Sequence, residues 1–582
     1  MVLQRLDRPE PEEQVSLRVA AVAGMVFPTK LVSDIHPMQM GRSAVHRHLQ
    51  ALSKLAILEP MAAGDRPGYG FSHRSLRDVA YSQLPNADRR ALHGRAAQWI
   101  ETNSGAERIS RLQELADHWA RAGEPATAVD RLLEESLRLF RQGFALEAVN
   151  VGLRAIRISG VDVPETPEDR QARIGAAIGD VSARTAGQVP SDLLASMKAP
   201  DADLALKLKA LLSTAPFAFQ SNQFEVFAWA SSEAMRLVMT HQSGPPHAFS
   251  TYSIVLAALT GDRAGAAAWS RAALDLDAAM GGDALPAVGF IDTWFHSHWR
   301  EPQIESVARN RAAAERALLT GDAQFASYNI SGEVVMRAAA GQPLEDVLAA
   351  AEQALTQALH RNSRIHVQLE RQFARALRGD TESLLSLSSA DLDEAAEIGW
   401  VMDSEFANQI GYCLATRLRL HSFAGDWTGA LMLAEALVPL HPVIAGQTAE
   451  YDAAFHTALS RLALILDGAV NRAEQEEKLN AESAKLAAWR AIQDDNFALK
   501  AGIVGTLQHA VDGDRRAAAQ RLAGLAGTGA GRRTGLSDRA VALDFAARLD
   551  PAGPYREEAI GAYQAWGATA VARRLSEPRM TA

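Results

Sequence analysis

A short pattern returns along the chain: a Gly, often followed by Asp or Glu, with an Ala five residues on and an Ala- and Leu-rich run behind it. It is read at Gly123/Ala128, Gly143/Ala148, Gly261/Ala266, Gly321/Ala326, Gly425/Ala430 and Gly513/Ala518. Gly closes one helix or opens a tight turn where a Cβ would be strained, and the small Ala lets the next helix come close to the first. The repetition therefore predicts helical hairpins in series. A chain of 582 residues exceeds what one core organises, but an array of hairpins grows without a central core. The expected fold class is mostly α: a small winged-helix domain followed by a TPR-like α-solenoid, a superhelix of antiparallel helical hairpins.

Composition narrows the function classes. With 48% hydrophobic and 22% charged residues the chain reads as folded, not disordered. A net charge of -10 with scattered Lys and Arg points to a protein partner and away from nucleic acid. The single cysteine, Cys413, lies in the apolar run Ile410 to Ala415 and reads as a buried structural thiol in a reducing compartment. Residues Met1 to Glu13 are polar and carry no apolar core ahead of a cleavage site, and no apolar run approaches the roughly 20 residues of a membrane span. The expectation is a cytoplasmic chain without a membrane segment.

The N-terminal region has a texture of its own. Val15 to Phe27 reads as a helix, Met38 to Ala56 as a second with Val45, Leu49, Leu52 and Leu55 on one face, and Ile57 to Pro60 with Tyr69 to Phe71 as two short strands around the turn Ala63 to Gly68. Helices followed by a hairpin predict a winged-helix unit. The second helix carries His46, Arg47, His48 and Lys54, a modestly basic set that favours a packing module over a DNA reader. In the next helix Ser72 is expected to cap the first turn, with Leu76, Val79 and Ala80 as the apolar stripe. His73, Arg74 and Asp78 offer an acid and a base on paper, but no nucleophile or ligand cluster accompanies them.

The run Phe71 to Tyr81, with Leu84-Pro85, Arg89-Arg90, Leu92-His93 and Ala96, resembles the segment that closes the ATPase half of large STAND-class signal-transduction ATPases. Phe295 to Arg300 with Gly321-Asp322 and Tyr328-Asn329 is similar to the mid-region of that class, and Tyr563 to Ala568 to the signature that ends its helical region. The resemblance implies an order of P-loop module, winged helix, TPR-like helical region and effector, the last a histidine kinase, a Ser/Thr kinase or a nucleotide cyclase. It implies that His73, at the position of the family's histidine, takes part with Arg74 and Asp78 in an interdomain switch contact that depends on nucleotide.

Two parts of that order do not show. No stretch fits G-x-x-x-x-G-K-[ST]: Ala23 to Lys30 lacks the second Gly and the hydroxyl after Lys, and the Gly-rich run Gly527 to Arg532 follows no strand and reads as a linker. No kinase or cyclase signature follows Gly567. The chain then reads either as the non-catalytic portion of such an ATPase or as a scaffold that meets a P-loop ATPase, kinase or cyclase in trans.

The expected organisation is a flexible start over 1–14, the winged-helix-like domain over 15–84, helical repeats over 85–243, 244–470 and 471–577, and a tail over 578–582. Residues 470–490 are unusually charged and read as a solvated helix or a connection. The candidate partner or ligand surface is the aromatic and polar cluster Phe290, Trp294, Phe295, His296, His298, Trp299, Arg300, Tyr328 and Asn329, against the plainer reading of these rings as hairpin core. His296 and His298 have no carboxylate at helical spacing to complete a metal set. The reading is of a non-enzymatic regulatory scaffold of signal transduction, without cofactor or metal, that binds a protein partner or ligand and relays it to an ATPase or effector. A winged-helix transcription regulator is the further alternative.

Overall fold

The computed structural model describes residues 6, 8–38, 40–64, 66–185, 190–357, 359–511, 513–528 and 535–577, the side chains of 106 and 107 set aside. The expected tail over 578–582, most of the Gly-rich run Gly527 to Arg532 and part of the expected flexible start lie outside these residues. The chain is mostly helical and divides into two compact units, Met1–Val163 with Ala205–Thr214, and Pro164–Leu204 with Ala215–Ala582.

In the first unit, the helix Pro11–Ala23 stops at Gly24 and gives way to a strand, β1 (Val26–Pro28). Helices Thr29–Ile35 and Arg42–Lys54 follow, then the hairpin β2 (Leu58–Ala63) and β3 (Arg66–Phe71). The sheet is antiparallel in the order β1-β3-β2, with both Phe27 and Pro60 facing Tyr69 in register. Val26 and Phe27 belong to β1 and not to the helix expected over Val15 to Phe27, because three residues are too few to display strand alternation. The turn is tighter than the Ala63 to Gly68 expected, since pairing continues to Ala63 opposite Arg66.

Phe27, Leu31, Ile35, Leu49, Leu52, Leu76 and Ile100 bury into one core behind this sheet. Gly68 is required by it: a Cβ there would stand 2.2 Å from the Phe27 carbonyl oxygen, so no side chain fits where β1 meets β3. Leu76 and Ala80 are buried and Val79 packs beside them, as the stripe predicts. Ser72 does not cap its helix. His73 holds the N-cap position, and the Ser72 hydroxyl donates to the Ala56 and Ile57 carbonyls at 2.8 and 3.2 Å, closing the entry to β2 instead.

The second unit shows why the recurring pattern has its form. Gly321 ends the helix Glu305–Thr320 at φ +75°, a left-handed conformation that Gly adopts without strain. The next residue, Asp322, caps the helix Ala323–Ala339 by accepting from the Phe325 amide at 3.1 Å, and Ala326 is buried against the preceding helix. Asp262 and Asp426 act likewise after Gly261 and Gly425. Gly123 and Gly143 also have positive φ; Gly513 does not, although Asp514 still caps the helix Arg515–Gly527. Residues 472–492 form one helix that buries Leu479, Leu486 and Trp489 and turns most of its charges outward, while Glu482 and Lys485 reach in to Arg461 and Glu450 at 2.9 and 2.8 Å.

Successive helices pack as hairpins, but this unit is not a one-dimensional stack. Asn496 Nδ2 donates to the His298 and Glu301 carbonyls, both at 2.8 Å, and Trp566 Nε1 donates to the Gln342 carbonyl at 2.9 Å. Arg263 pairs with the buried Glu450 at 3.1 Å. In a simple solenoid each repeat meets only its neighbours; here elements about 190 residues apart share hydrogen bonds, and the interior they close contains charge. Arg419 lies between Glu370 at 2.9 Å and Asp452 at 3.6 Å, and Lys500 holds Asp538 at 2.7 Å. Burial pushes the Glu370 and Asp452 carboxyls up.

Trp427–Ile444, with a mean hydropathy of 1.3, meets the length and composition of a membrane span. The chain does not keep it as one regular helix: Trp427–Leu437, a tight turn Val438–Leu440 and His441–Ile444 follow one another, with Pro439 and Pro442 in the break. Cys413 is fully buried in the helix Ala407–Ala424, and desolvation pushes its thiol up to about 11, as expected of a structural cysteine.

Candidate functional site

The aromatic cluster grows from one irregular segment of the second unit. Helix Leu285–Ile291 does not end in a turn; it widens into a π-helical stretch, Asp292–His296, and then tightens into Ser297–Trp299. Such a widening inserts a residue into the helical register and turns successive side chains to opposite sides. The Asp292 carboxylate anchors it, fully buried, with Arg300 at 2.8 Å, Arg309 at 3.3 Å and the Ser270 hydroxyl donating at 2.8 Å. Arg300 also donates to the Ala267 carbonyl at 3.0 Å, so its guanidinium is engaged in holding the segment.

The structure separates the residues grouped by the sequence. His298 and Trp299 turn into a ring cluster with Tyr451, Trp489 and Phe497, where Trp299 stacks on Phe497 at 5.1 Å and 16°. His296 shares a hydrogen bond with the Ser253 hydroxyl at 2.8 Å. Asn329 donates to the Pro286 and Phe325 carbonyls at 2.9 and 2.8 Å. Phe290, Trp294, Phe295 and Tyr328 line a cavity on the other side. There Tyr328 stacks on Phe290 at 5.0 Å, and its hydroxyl accepts from Gln220 at 3.1 Å and Gln324 at 3.3 Å.

The cavity opens to solvent, and about 750 Å³ is empty when the solvent at its mouth and the gaps between wall atoms are counted in. Phe219, Phe227, Ile254, Ile291 and Phe325 add apolar wall, while His247, His366, Asn408, Gln409 and Gln447 bring polar atoms from helices far apart in sequence. Its lining includes no Asp, Glu, Lys or Arg among the described residues. Burial pulls His247 down to about 4 and His366 down to about 3, so both rings are neutral at neutral pH. Four polar atoms on lining residues have no hydrogen-bonding partner among the described residues: His247 Nδ1, Trp294 Nε1, His366 Nδ1 and Gln409 Oε1. Leaving such a group unpaired in a protein interior costs about 1–3 kcal/mol, so each of the four calls for an explanation.

The hydroxyls beside the cavity are turned back on the helices that carry them: Ser331 donates to the Tyr328 carbonyl at 2.9 Å and Thr251 to the His247 carbonyl at 3.1 Å. What the walls present is stacking surface and neutral hydrogen-bonding groups, a combination suited to holding a molecule. The lining residues that the sequence reading missed lie on Arg361–Arg378 and Ala407–Ala424, and also on Ala202–Gln220, Phe224–His241 and Pro246–Thr260 and at Gln447. The first left no signal in its polar composition, which reads as a solvated helix; only the structure shows Asn362, Ser363, His366, Gln368, Glu370 and Gln372 all buried on it.

In the first unit, His73, Arg74 and Asp78 are all exposed on the helix that follows β3. Arg74 reaches Asp78 at 3.7 Å one turn away, and Arg77 lies 3.4 Å from the same carboxylate while donating to the Ala21 carbonyl. Of the basic set on Arg42–Lys54, His48 is drawn inward to the Ser16 hydroxyl at 2.9 Å, whereas Arg47 and Lys54 are exposed.

No family model matches the chain. An uncharacterized protein of Rhizobium meliloti (strain 1021) is 29% identical to it over 123 residues, which make up 21% of this chain and 11% of that relative. Among solved structures, the chain is similar to a signal-transduction ATPase with numerous domains (STAND protein) with a tetratricopeptide repeat sensor from Pyrococcus horikoshii. The match has 12% identity and a TM-score of 0.34, covering 85% of this chain and 66% of the other, slightly under two thirds of its length.

Proposed function

We propose that this chain is a non-catalytic regulatory scaffold of signal transduction, in which a TPR-like helical array binds a ligand or protein segment and relays it to a P-loop ATPase, kinase or cyclase, in cis or in trans. The observation that carries the reading is the aromatic cavity of the second unit, with its neutral lining and its unpartnered buried polar atoms. An array built only for rigidity gains nothing from that arrangement.

Support for the relay comes from the first unit. Its helices and its β1-β3-β2 sheet fit a winged-helix reading, and the helix after β3 presents His73, Arg74 and Asp78 to solvent at the position where the STAND resemblance places a nucleotide-dependent contact. The buried thiol of Cys413 agrees with a cytoplasmic location.

The test is affinity capture from lysate with the purified chain, with and without ATP, comparing wild type with a His73→Ala/Asp78→Ala variant. A P-loop ATPase, kinase or cyclase recovered in an ATP-dependent way and lost in the variant is the expected result. Capture that ignores both nucleotide and variant would remove the relay.

A further inference from the structure

The cavity also specifies the chemistry of its occupant. We propose that it is a binding site for an uncharged, flat small molecule that carries a hydrogen-bond donor beside a carbonyl-type acceptor, as in a lactam fused to an aromatic ring. The inference rests on the scaffold reading above only in treating the cavity as a ligand site.

Three features of the lining carry it. First, the wall is made of rings: Phe290 stacks on Tyr328, Trp294 meets Phe290 at 5.3 Å, and Phe325 stands edge-on to Tyr328 at 5.7 Å. Rings arranged this way offer faces and edges to a planar guest. Second, the absence of Asp, Glu, Lys and Arg from the described lining leaves an ionised guest with no counter-charge in an apolar surrounding. Third, the unpartnered atoms are of both kinds. Gln409 Oε1 can only accept, its amide nitrogen already donating to Gln220 Oε1 at 3.4 Å, so it calls for a donor on the guest; the Nδ1 atoms of His247 and His366, on neutral rings, can donate or accept, so an acceptor beside that donor is met as well. Gln409 is more than nine-tenths buried.

The test uses three probes of similar size on the full chain: carbostyril, a flat lactam with both functions; naphthalene, which has the shape alone; and quinaldate, which has the shape and a charge. Binding is read by calorimetric titration, and shifts in melting temperature serve as the second readout. Carbostyril is expected to bind saturably, one per chain, at least about tenfold tighter than naphthalene, with quinaldate weakest. Gln409→Leu should weaken carbostyril about tenfold and leave naphthalene unchanged. Equal affinities for the three probes, or no binding of carbostyril, would overturn the proposal. If Gln409→Leu fails to fold, the three-probe ranking on the wild type decides alone. Ranked probe binding without ATP-dependent capture would leave the site standing and remove the relay; capture without ranked binding would do the reverse.

Discussion

At the residue scale, the first unit contains a chain of hydrogen bonds that one set of tautomers satisfies. The Tyr81 hydroxyl lies 2.8 Å from His93 Nε2, and His93 Nδ1 lies 2.8 Å from His118 Nδ1. With Tyr81 donating to Nε2 and the Nδ1 hydrogen of His93 donating to His118, every contact is made with both rings neutral. Desolvation and the nearby Arg121 pull His118 down to about 4; desolvation first, and then His118 itself, pulls His93 down to about 3. A second residue-scale consequence is steric. Gly68→Ala places a methyl against the Phe27 carbonyl and should destabilise the first unit by about 1–3 kcal/mol, read as a lower urea midpoint. An unchanged midpoint would mean that β1 pairs elsewhere. Neither feature was legible in the sequence. Gly68 reads there only as part of a turn, and a His-His contact across 25 positions leaves no local pattern.

At the element scale, much was legible because the hairpin pattern is local. Gly321, Asp322 and Ala326 do three jobs within six residues, ending one helix, capping the next and packing the two together. Asp322→Ala should therefore cost about 0.5–2 kcal/mol, seen as faster amide exchange in the first turn of Ala323–Ala339; exchange as slow as in the wild type would show that the cap is dispensable. The cavity was half legible. Phe290, Trp294 and Tyr328 fall close together in sequence, but His247, His366 and Gln409 join them only through long-range packing that no periodicity encodes. The buried charges were invisible for the same reason. Arg419→Met leaves Glu370 without its cation and Asp452 with Lys500 alone, at 3.9 Å, and should cost about 3–5 kcal/mol by chemical denaturation, whereas a loss under about 1 kcal/mol would show that the carboxyls are held neutral.

At the scale of the whole molecule, buried neutral histidines set the response to acid. His36, His93 and His118 in the first unit, and His247, His296, His298, His366 and His456 in the second, all have pKa values lowered by burial. Unfolding returns each to about 6.5, so between that pH and the folded value the unfolded chain binds more protons. The stability they provide is complete above pH 6.5 and is lost as the pH falls towards about 3–4, by up to about 1.4 kcal/mol per histidine per pH unit. The raised carboxyls of Glu370 and Asp452 act with the opposite sign, adding stability as the pH falls through their folded values, which lie above the ordinary carboxylate range. Melting temperatures of both units should fall steadily from pH 7 to pH 5, with uptake of several protons on unfolding; a flat profile over that range would contradict the burial of these rings.

Hydrogen–deuterium exchange with and without carbostyril tests directly whether the cavity is a ligand site. Slower exchange is expected in Pro246–Thr260, Ala323–Ala339, Arg361–Arg378 and Ala407–Ala424, the helices that bring His247, Tyr328, His366 and Gln409 to the cavity. Exchange unchanged in those four helices at a concentration where titration shows binding would place the ligand elsewhere and leave the aromatic cluster as hairpin core.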